Sequence, residues 1–419
     1  MLSDSIGVVS QLLREEPLTM AFLVLVLEIP RYTFSFLVLA LFGLRNARMK
    51  EGSGRRVSAI VTVYNGADEI RHSLESLFRE EHLLHEIIVV DDGSTDGTAA
   101  VLAELKSRHP RLKLLHHRER TGKSAALNHA ARFSTGELLL NIDADTTIGR
   151  GAIARLSAVF EDDRVAAASG NIIASNAGRN VITALQSLEY LLSITVGKTF
   201  IGYIGSVTCC SGAFSMFRRS AYLAVGGLNV GPGEDLEITM RFRKAGYEVR
   251  FVREAVCATA VPHTVRGLLR QRLRWDRDAL GIRIFMYRQL SFRARGERFA
   301  DTLQRMDFIF LDLLPTLVFP IYLLYLALSF PEDFWMLMQG LYVALFFFYA
   351  LNIVLAMIAL RRLPRLLHLL VLPVLPLYQG LIMRLWRFYA FTQEILFSGS
   401  RDDDYVPRRV RMAVYGKSR

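Results

Sequence analysis

An α/β domain built on a parallel sheet and set between membrane helices is the fold class this sequence predicts, and three observations carry it. Short apolar runs, the first of them β-branched, alternate with helix-patterned runs over residues 57–160. Three of the apolar runs end in polar or acidic residues: Tyr64-Asn65, Asp91-Asp92 and Asp143-Ala144-Asp145. Stretches too long and too apolar for a soluble core flank the domain on both sides.

VSAIVTVYN (57–65) reads as the first strand, and residues 67–80 follow with a helical pattern. HEIIVVDDGS (85–94) is a second strand, 95–108 a second helix, and LKLLHH a third strand. Residues 122–133 supply a third helix and ELLLNIDAD a fourth strand. Strictly alternating strands and helices imply parallel pairing with helices on both faces. Ligands of such sheets sit beyond the carboxyl ends of the strands, where the three acid or polar clusters fall.

The flanks set the domain organisation. Residues 18–44 are apolar apart from Glu28 and Arg31, longer than the roughly 20 residues a bilayer requires. Without a basic region ahead of it, this reads as a transmembrane helix rather than a cleaved signal. Glu28 and Arg31 can pair on one helix face. Arg45, Arg48, Lys50, Arg55 and Arg56 follow at once, which predicts an external N-terminus and a cytoplasmic domain over 45–290. After a linker (291–307), a membrane region of about three helices is expected over 308–397, then a basic tail over 398–419, with residues 1–17 a short N-terminal segment. Two spans, 308–330 and 334–360, are clear. The last stretch, 366–397, would reach roughly 48 Å as one helix and is interrupted by Pro373, Pro376, Arg384 and Arg387. It reads either as a single crossing or as a segment that doubles back. Residues 181–205 and 263–285 mix apolar with charged side chains and suit amphipathic helices at the headgroup level.

Composition removes several functions. The chain is 52% hydrophobic with a net charge of +11, yet no nucleic-acid recognition motif accompanies the charge. A cytoplasmic membrane surface and anionic substrates account for it. Three cysteines are too few for a disulfide framework, and no Cys/His spacing marks a zinc site. Arg120-Thr121-Gly122-Lys123-Ser124 resembles the end of a phosphate-cradling loop, but His117 stands where the earlier glycine belongs. Asp91–Asp96 fails the calcium-loop pattern because Gly93 takes a ligand position.

The remaining polar residues form a series. Acids at strand ends suit a metal and a nucleotide, a later acid in Gly233-Glu234-Asp235 suits a base, and Gln271-Arg272-Leu273-Arg274-Trp275 suits a diphosphate and a sugar. Asp143 and Asp145, two apart, can offer a hard divalent cation oxygens from one strand end. Asp235 opens a helical run and reads as a cap or a general base. Gln271, Arg274 and Trp275 share one helix face. An enzyme that uses an activated sugar at a membrane surface is the reading that joins these features.

VTVYN, DDGSTD, DADT, CCSGAFSMFRRSAYLAVGG, GEDLEIT and QRLRW, in this order and spacing, resemble the processive family-2 membrane glycosyltransferases. That group contains the synthases of cellulose, hyaluronan, chitin oligosaccharide and poly-N-acetylglucosamine. The likeness covers roughly Val57 to Trp275, and Cys209-Cys210-Ser211-Gly212 with Arg274-Trp275-Asp276-Arg277 is most similar to the hyaluronan and chitin-oligosaccharide branch. The Phe-Phe-Cys-Gly-Ser block of the cellulose type is absent, Asp276-Arg277-Asp278 departs from the poly-N-acetylglucosamine type, and no cyclic-dinucleotide-binding barrel is expected after Phe397.

The resemblance implies a GT-A fold and an inverting, processive enzyme of the plasma (inner) membrane. It would polymerise a UDP-sugar, N-acetylglucosamine favoured, into a β-linked glycan and conduct it outward. Tyr64, Asp91, Asp92, Lys123 and Asp143 would hold the nucleotide, and Asp143 with Asp145 a Mg²⁺ or Mn²⁺ ion. Asp235 would be the base, and Gln271, Arg274, Trp275, Ser211 and Gly212 would serve the diphosphate and the acceptor. It favours a single crossing for 366–397 and leaves an accessory export subunit open. A non-processive enzyme of the ceramide-glucosyltransferase type, which adds one sugar to a membrane lipid, shares much of the pattern.

Overall fold

The computed structural model describes residues 29–42, 52, 54–205, 207–229, 233–286, 299–361, 366–402 and 407–408. The predicted pairing of Glu28 with Arg31 lies outside them. After α1 (Ile29–Phe42), the soluble domain runs β1 (Val57–Val63), α2 (Ala67–Phe78), β2 (Glu86–Asp91), α3 (Thr98–Arg108), β3 (Leu112–His116), α4 (Lys123–Phe133), β4 (Leu138–Asp143) and β5 (Thr146–Ile148). It continues through α5 (Ala152–Ala158), β6 (Val165–Ala174), α6 (Val181–Tyr190), α7 (Lys198–Tyr203), β7 (Phe214–Arg218), α8 (Arg219–Ala224), α9 (Glu234–Lys244), β8 (Glu248–Thr259) and α10 (Val265–Leu280). The helical region that follows comprises α11 (Phe299–Phe308), α12 (Leu314–Ser329), α13 (Phe334–Leu360), α14 (Leu366–Val371) and α15 (Arg384–Phe397).

Eight strands form one sheet in the order β3-β2-β1-β4-β7-β6-β8-β5. The strands β3, β2, β1 and β4 are parallel, with Val61 opposite Val89 and Ile142. Their carboxyl ends lie side by side, which brings Tyr64, Asp91 and Asp143 to one edge. The strictly parallel expectation stops there, because β7 runs antiparallel to both β4 and β6. The chain between β6 and β7 closes at that same carboxyl edge, where the Asp143 N–H donates to the Ala213 carbonyl at 3.2 Å. Entering from this edge, β7 must run back against its neighbours. The sheet is mixed.

Burial explains why these strands read as continuous apolar runs. Ala59, Val61 and Val63 pack against Ile70 and Leu74 of α2 and Ile153 of α5. Ile60, Ile88 and Val90 face the other way, onto Ala126 and Leu127 of α4 and Phe242 of α9. Both faces are dry, so the buried hydroxyl of Ser58 on β1 is accommodated by donating to Glu86 Oε1 at 2.6 Å. Each of these fully buried valine, leucine and isoleucine side chains contributes about 1.5–3 kcal/mol.

Residues Asp301–Ser329, spanning α11 and α12, and Phe334–Leu360 are each long and apolar enough to cross a membrane. The stretch 366–397 is bent by 48° between Leu366–Val374 and Pro376–Phe397. Proline supplies the break, since Pro376 has no N–H to give the preceding turn. Phe36 and Leu39 of α1 pack with Ile353, Ala356 and Ala359 of α13. The two segments read as amphipathic are helical: α6 continues through a wide turn (Leu191–Gly197) into α7, and α10 through another (Gly281–Met286). The Trp386 indole of α15 donates to the Leu269 carbonyl of α10 at 2.8 Å, so the last helix lies along α10.

Candidate active site

Two loops meet at the ends of β1 and β2. Asn65 adopts a left-handed φ of 50°, a conformation asparagine tolerates. Its Oδ1 accepts from the Thr95 N–H at 2.8 Å and its own N–H donates to Ser94 Oγ at 3.0 Å. Tyr64 beside it is 41% exposed, with the Arg120 guanidinium 4.5 Å over its ring. Asp91 accepts from the Ser94 N–H at 2.9 Å and lies 3.1 Å from His116 Nδ1.

Asp92 is fully engaged within the fold. It accepts from the Thr121 N–H at 2.8 Å, the Thr121 hydroxyl at 2.6 Å and the Gly122 N–H at 2.7 Å. His117 Nδ1 stands 2.8 Å away. The carboxylate thereby fixes loop 117–122, which carries Arg120. Gly93 makes the close approach of this loop feasible: its φ is 78°, and a Cβ there would sit 2.8 Å from the Arg120 nitrogen.

A second group centres on Lys123, the first residue of α4. Its Nζ lies 2.5 Å from Asp143 Oδ1, 3.7 Å from Glu234 Oε1 and 3.3 Å from the Gly212 carbonyl. Burial pulls Lys123 down, but Asp143 and Glu234 more than reverse this and hold it protonated. Gly212 is the bridge. Its carbonyl also accepts from Asn141 Nδ2 at 2.7 Å, and its N–H donates to Asp235 Oδ2 at 3.0 Å. A Cβ on Gly212 would lie 3.1 Å from the Lys123 ammonium and 3.6 Å from Asp235 Oδ2, so the glycine keeps this space open.

Glu234 and Asp235 occupy the first turn of α9, with Gly233 as the preceding cap, so Asp235 is inside the helix rather than capping it. Burial pushes Glu234 up against the pull of Lys123, and Asp235 adds to the rise. Ser211 donates its N–H to Ser169 Oγ at 3.2 Å, and its hydroxyl lies 2.5 Å from Lys198 Nζ. Burial and the Asp235 carboxylate push the neighbouring Cys209 well above the ordinary thiol range, leaving it a neutral wall residue.

Asp145 lies in the turn between β4 and β5. The hydroxyls of Thr146 and Thr259 donate to it at 3.2 and 3.3 Å. Burial, then the Asp143 carboxylate, pushes it up. Asp143 and Asp145 could supply two hard oxygen ligands. Among the described residues no group of three or more acidic, histidine or cysteine side chains forms a metal cluster, so further ligands would come from substrate and water.

The helix α10 starts at Thr264, whose hydroxyl accepts from the Gly267 N–H at 3.1 Å. Arg274 stands close enough to Glu234 for its charge to act on that carboxyl. Gln271 Oε1 is buried without a hydrogen-bond partner. Trp275 is 37% exposed, with the Arg272 guanidinium 4.5 Å over one face. Lys123, Asp143, Gly212, Glu234 and Asp235 thus form one connected cluster. Arg274 joins it through Glu234, and Gln271 and Trp275 join it through the helix they share with Arg274.

Residues 58–226 match the family described as Glycosyl transferase family 2. The chain carries a family-2 glycosyltransferase domain. It is 36% identical over 202 residues to an N-acetylglucosaminyltransferase of Rhizobium meliloti, covering 46% of this chain and 47% of that protein. An N-acetylglucosaminyltransferase of Mesorhizobium japonicum is 34% identical over 234 residues, covering 53% and 55%. A poly-beta-1,6-N-acetyl-D-glucosamine synthase of Staphylococcus epidermidis is 29% identical over 221 residues, covering 52% and 53%. The chain spans about half the length of these relatives. The fold is similar to that of a mannosyltransferase from Pyrobaculum calidifontis solved with GDP-Man and Mn²⁺, with a TM-score of 0.59 at 21% identity, covering 90% of this chain and 99% of that one. A GT-A-type mixed sheet is the fold of the family-2 domain.

Sequence reasoning missed four residues of this neighbourhood: Arg120, Asn141, Lys198 and Glu189. Asn141 had a readable signal, a polar residue two before Asp143 on a strand otherwise buried on both faces. Lys198 and Glu189 read only as charges that made their segment too polar to span.

Proposed function

We propose that this protein is an inverting, processive membrane glycosyltransferase that polymerises a UDP-sugar, with UDP-N-acetylglucosamine favoured, into a β-linked glycan and conducts it across the membrane. The observation that carries the reading is the chain of contacts from Asp143 through Lys123 and Gly212 to Asp235. It sets a nucleotide-facing strand end and a base-bearing helix start on either side of one glycine. The relatives' N-acetylglucosaminyl activities support the choice of sugar.

On this reading Tyr64 and Asp91 hold the uridine, with Arg120 covering Tyr64. Asp92 acts from beneath, fixing loop 117–122. Lys123 and Arg274 place positive charge beside the diphosphate, where negative charge grows as the sugar leaves. Asp235 takes the proton of the acceptor hydroxyl while its oxygen bonds to the anomeric carbon and the bond to UDP breaks. A single displacement of an α-linked donor yields a β-linkage. Trp275 offers its free face to the acceptor's terminal sugar, and Gly212 leaves room between donor and base.

The donor set fits a hard divalent cation, Mg²⁺ or Mn²⁺. Two carboxylates meet at one strand end, where burial and then the Asp143 carboxylate push Asp145 up. When bound, such an ion neutralises charge on the departing diphosphate. The domain over 45–290 lies in the cytoplasm, with the N-terminus outside, on the strength of the basic run after residue 44.

The test is UDP release by the protein in lipid nanodiscs, each UDP-sugar supplied alone and the products sized. A ladder from UDP-N-acetylglucosamine is expected. One sugar on an organic-extractable lipid would overturn processivity, and turnover of a different UDP-sugar alone would overturn the choice of monomer.

A further inference from the structure

Trp275 does not stand alone on α10. One face of its ring is covered by the Arg272 guanidinium at 4.5 Å. Arg272 Nη2 donates to Glu189 Oε2 of α6 at 3.0 Å, while its Nε is buried without a partner. Glu189 is therefore what fixes the guanidinium. The same Oε2 accepts from the Tyr378 hydroxyl at 2.9 Å. Tyr378 belongs to Pro376–Met383, the wide turn just after the bend in the last apolar stretch, and is itself buried. Three consecutive contacts thus run from that stretch to the ring.

We infer that Tyr378, acting through Glu189 and Arg272, positions the Trp275 ring for the acceptor's terminal sugar, so that the last apolar stretch and the acceptor platform are mechanically one unit. The inference rests on the reading of Trp275 as that platform. Each link has a chemical reason. A cation over an indole face is held by the ring quadrupole and fixes the ring's tilt. Glu189 offsets a guanidinium that is otherwise costly to bury. A hydroxyl donating to the same oxygen holds the carboxylate's rotamer. Tyr378, Glu189 and Arg272 are positioning residues. Movement of the bent stretch, as when a glycan passes it, is transmitted to the surface on which the next acceptor hydroxyl is presented.

The experiment uses the whole protein in nanodiscs, labelled with 5-fluorotryptophan. The Trp275 resonance is identified by its loss in Trp275→Phe. Tyr378→Phe and Glu189→Gln both keep the packing volume. Tyr378→Phe leaves the Arg272–Glu189 ion pair intact and is the primary variant. Glu189→Gln takes the counter-charge from the buried Arg272 guanidinium and cuts the chain at its middle link. Both variants are expected to shift or broaden the Trp275 resonance. They should raise KM for a supplied N-acetylglucosamine tetrasaccharide by about five- to tenfold, the scale of one cation–π contact. The KM for UDP-N-acetylglucosamine should stay unchanged and products should shorten. An unmoved Trp275 resonance, or an unchanged acceptor KM with only a lower melting temperature, overturns the inference. Trp275→Ala separates the two levels of argument. If it leaves the acceptor KM unchanged, the platform reading falls and the inference falls with it. If it raises that KM while Tyr378→Phe does not, the platform stands and the inference alone is overturned.

Discussion

At the end of β2 two adjacent aspartates meet different neighbours, and that difference assigns them different work. Asp92 faces the Thr121 and Gly122 N–H groups, the Thr121 hydroxyl and His117. Asp91 shares one oxygen with Ser94 and turns the other toward the exposed His116. Replacing Asp92 by Asn sets an NH₂ group against donors and leaves buried groups unmet, at about 1–3 kcal/mol. Asp92→Asn should therefore lower the melting temperature and weaken UDP binding, and Asp91→Asn should weaken UDP binding alone. Calorimetric UDP titration beside a melting curve checks both, and an Asp92→Asn protein that melts like the parent defeats the bracing role. Asp235→Asn removes the proton acceptor while its amide oxygen can still accept from the Gly212 N–H, giving up the contact with the Leu236 N–H. Turnover should fall by roughly 10²–10⁴, the range for general-base removal, with UDP affinity intact; turnover within a few fold of the parent would exclude Asp235 as the base. The sequence made the acids at the strand ends visible, since period and position are local properties. It could not divide the labour of Asp91 and Asp92, because the partners that engage Asp92 lie 25 to 30 residues on, in a loop with no periodic signal.

Helices and strands differ in how much of their placement was readable. The run from β1 to β4 was legible because each strand is a short apolar stretch, β-branched in β1 and β2 and leucine-rich in β3 and β4, bounded by polar or turn residues. The reversal at β7 was not, because FSMFR carries no mark of direction and only the course of residues 175–213 sets it. The packing of α15 along α10 was equally hidden. It brings Arg387 within 3.3 Å of Asp276 and 2.7 Å of Asp312, one guanidinium shared by two carboxylates. Burial pushes Asp276 up, Arg387 pulls it back and Asp312 pushes again, leaving it at about 6. An unfolded Asp titrates near about 3.9, so between those values the folded protein holds a proton that the unfolded chain lacks. Stability from this group accordingly rises as pH falls through 6 and levels off below about 4. The parent should gain melting temperature from it between pH 7 and pH 5. Asp276→Asn, neutral throughout, should lose that gain and match or exceed the parent at pH 7. Melting curves of both proteins at the two pH values decide it, and an identical pH gain in the variant removes Asp276 as the source.

Across the whole molecule, the contacts of the C-terminal stretch bear on how the chain meets a membrane. Arg243 of α9 pairs with Asp301 at the start of α11, so the first long apolar helix leaves from the soluble domain. The next, α13, returns to pack at its end against α1 and α6. His368 of α14 then lies 3.2 Å from Ser187 of α6, and near the far end Glu394 would be 3.1 Å from a Cβ on Gly281 of the α10 segment. Pro407 stands over Gly122, its Cδ 3.2 Å from where a Cβ on that glycine would sit. Both ends of the bent stretch therefore approach the same soluble domain, which argues for a segment that doubles back and against the single crossing that resemblance favours. Doubling back also keeps the arginine-rich tail on the basic side of the membrane. Single cysteines test this, because the native Cys210 and Cys257 are buried and Cys209 is partly covered. In intact cells, an impermeant maleimide should label Glu332→Cys, in the turn between α12 and α13, and should spare the exposed Arg108→Cys of α3 and Arg408→Cys of the tail. Labelling of Arg408→Cys from outside restores the single crossing, and labelling of Arg108→Cys reverses the orientation of the whole chain. The middle result, with the tail and the domain protected together, leaves Asp301–Ser329 and Phe334–Leu360 as the crossings after the domain, with the bent stretch set against α6 and α10.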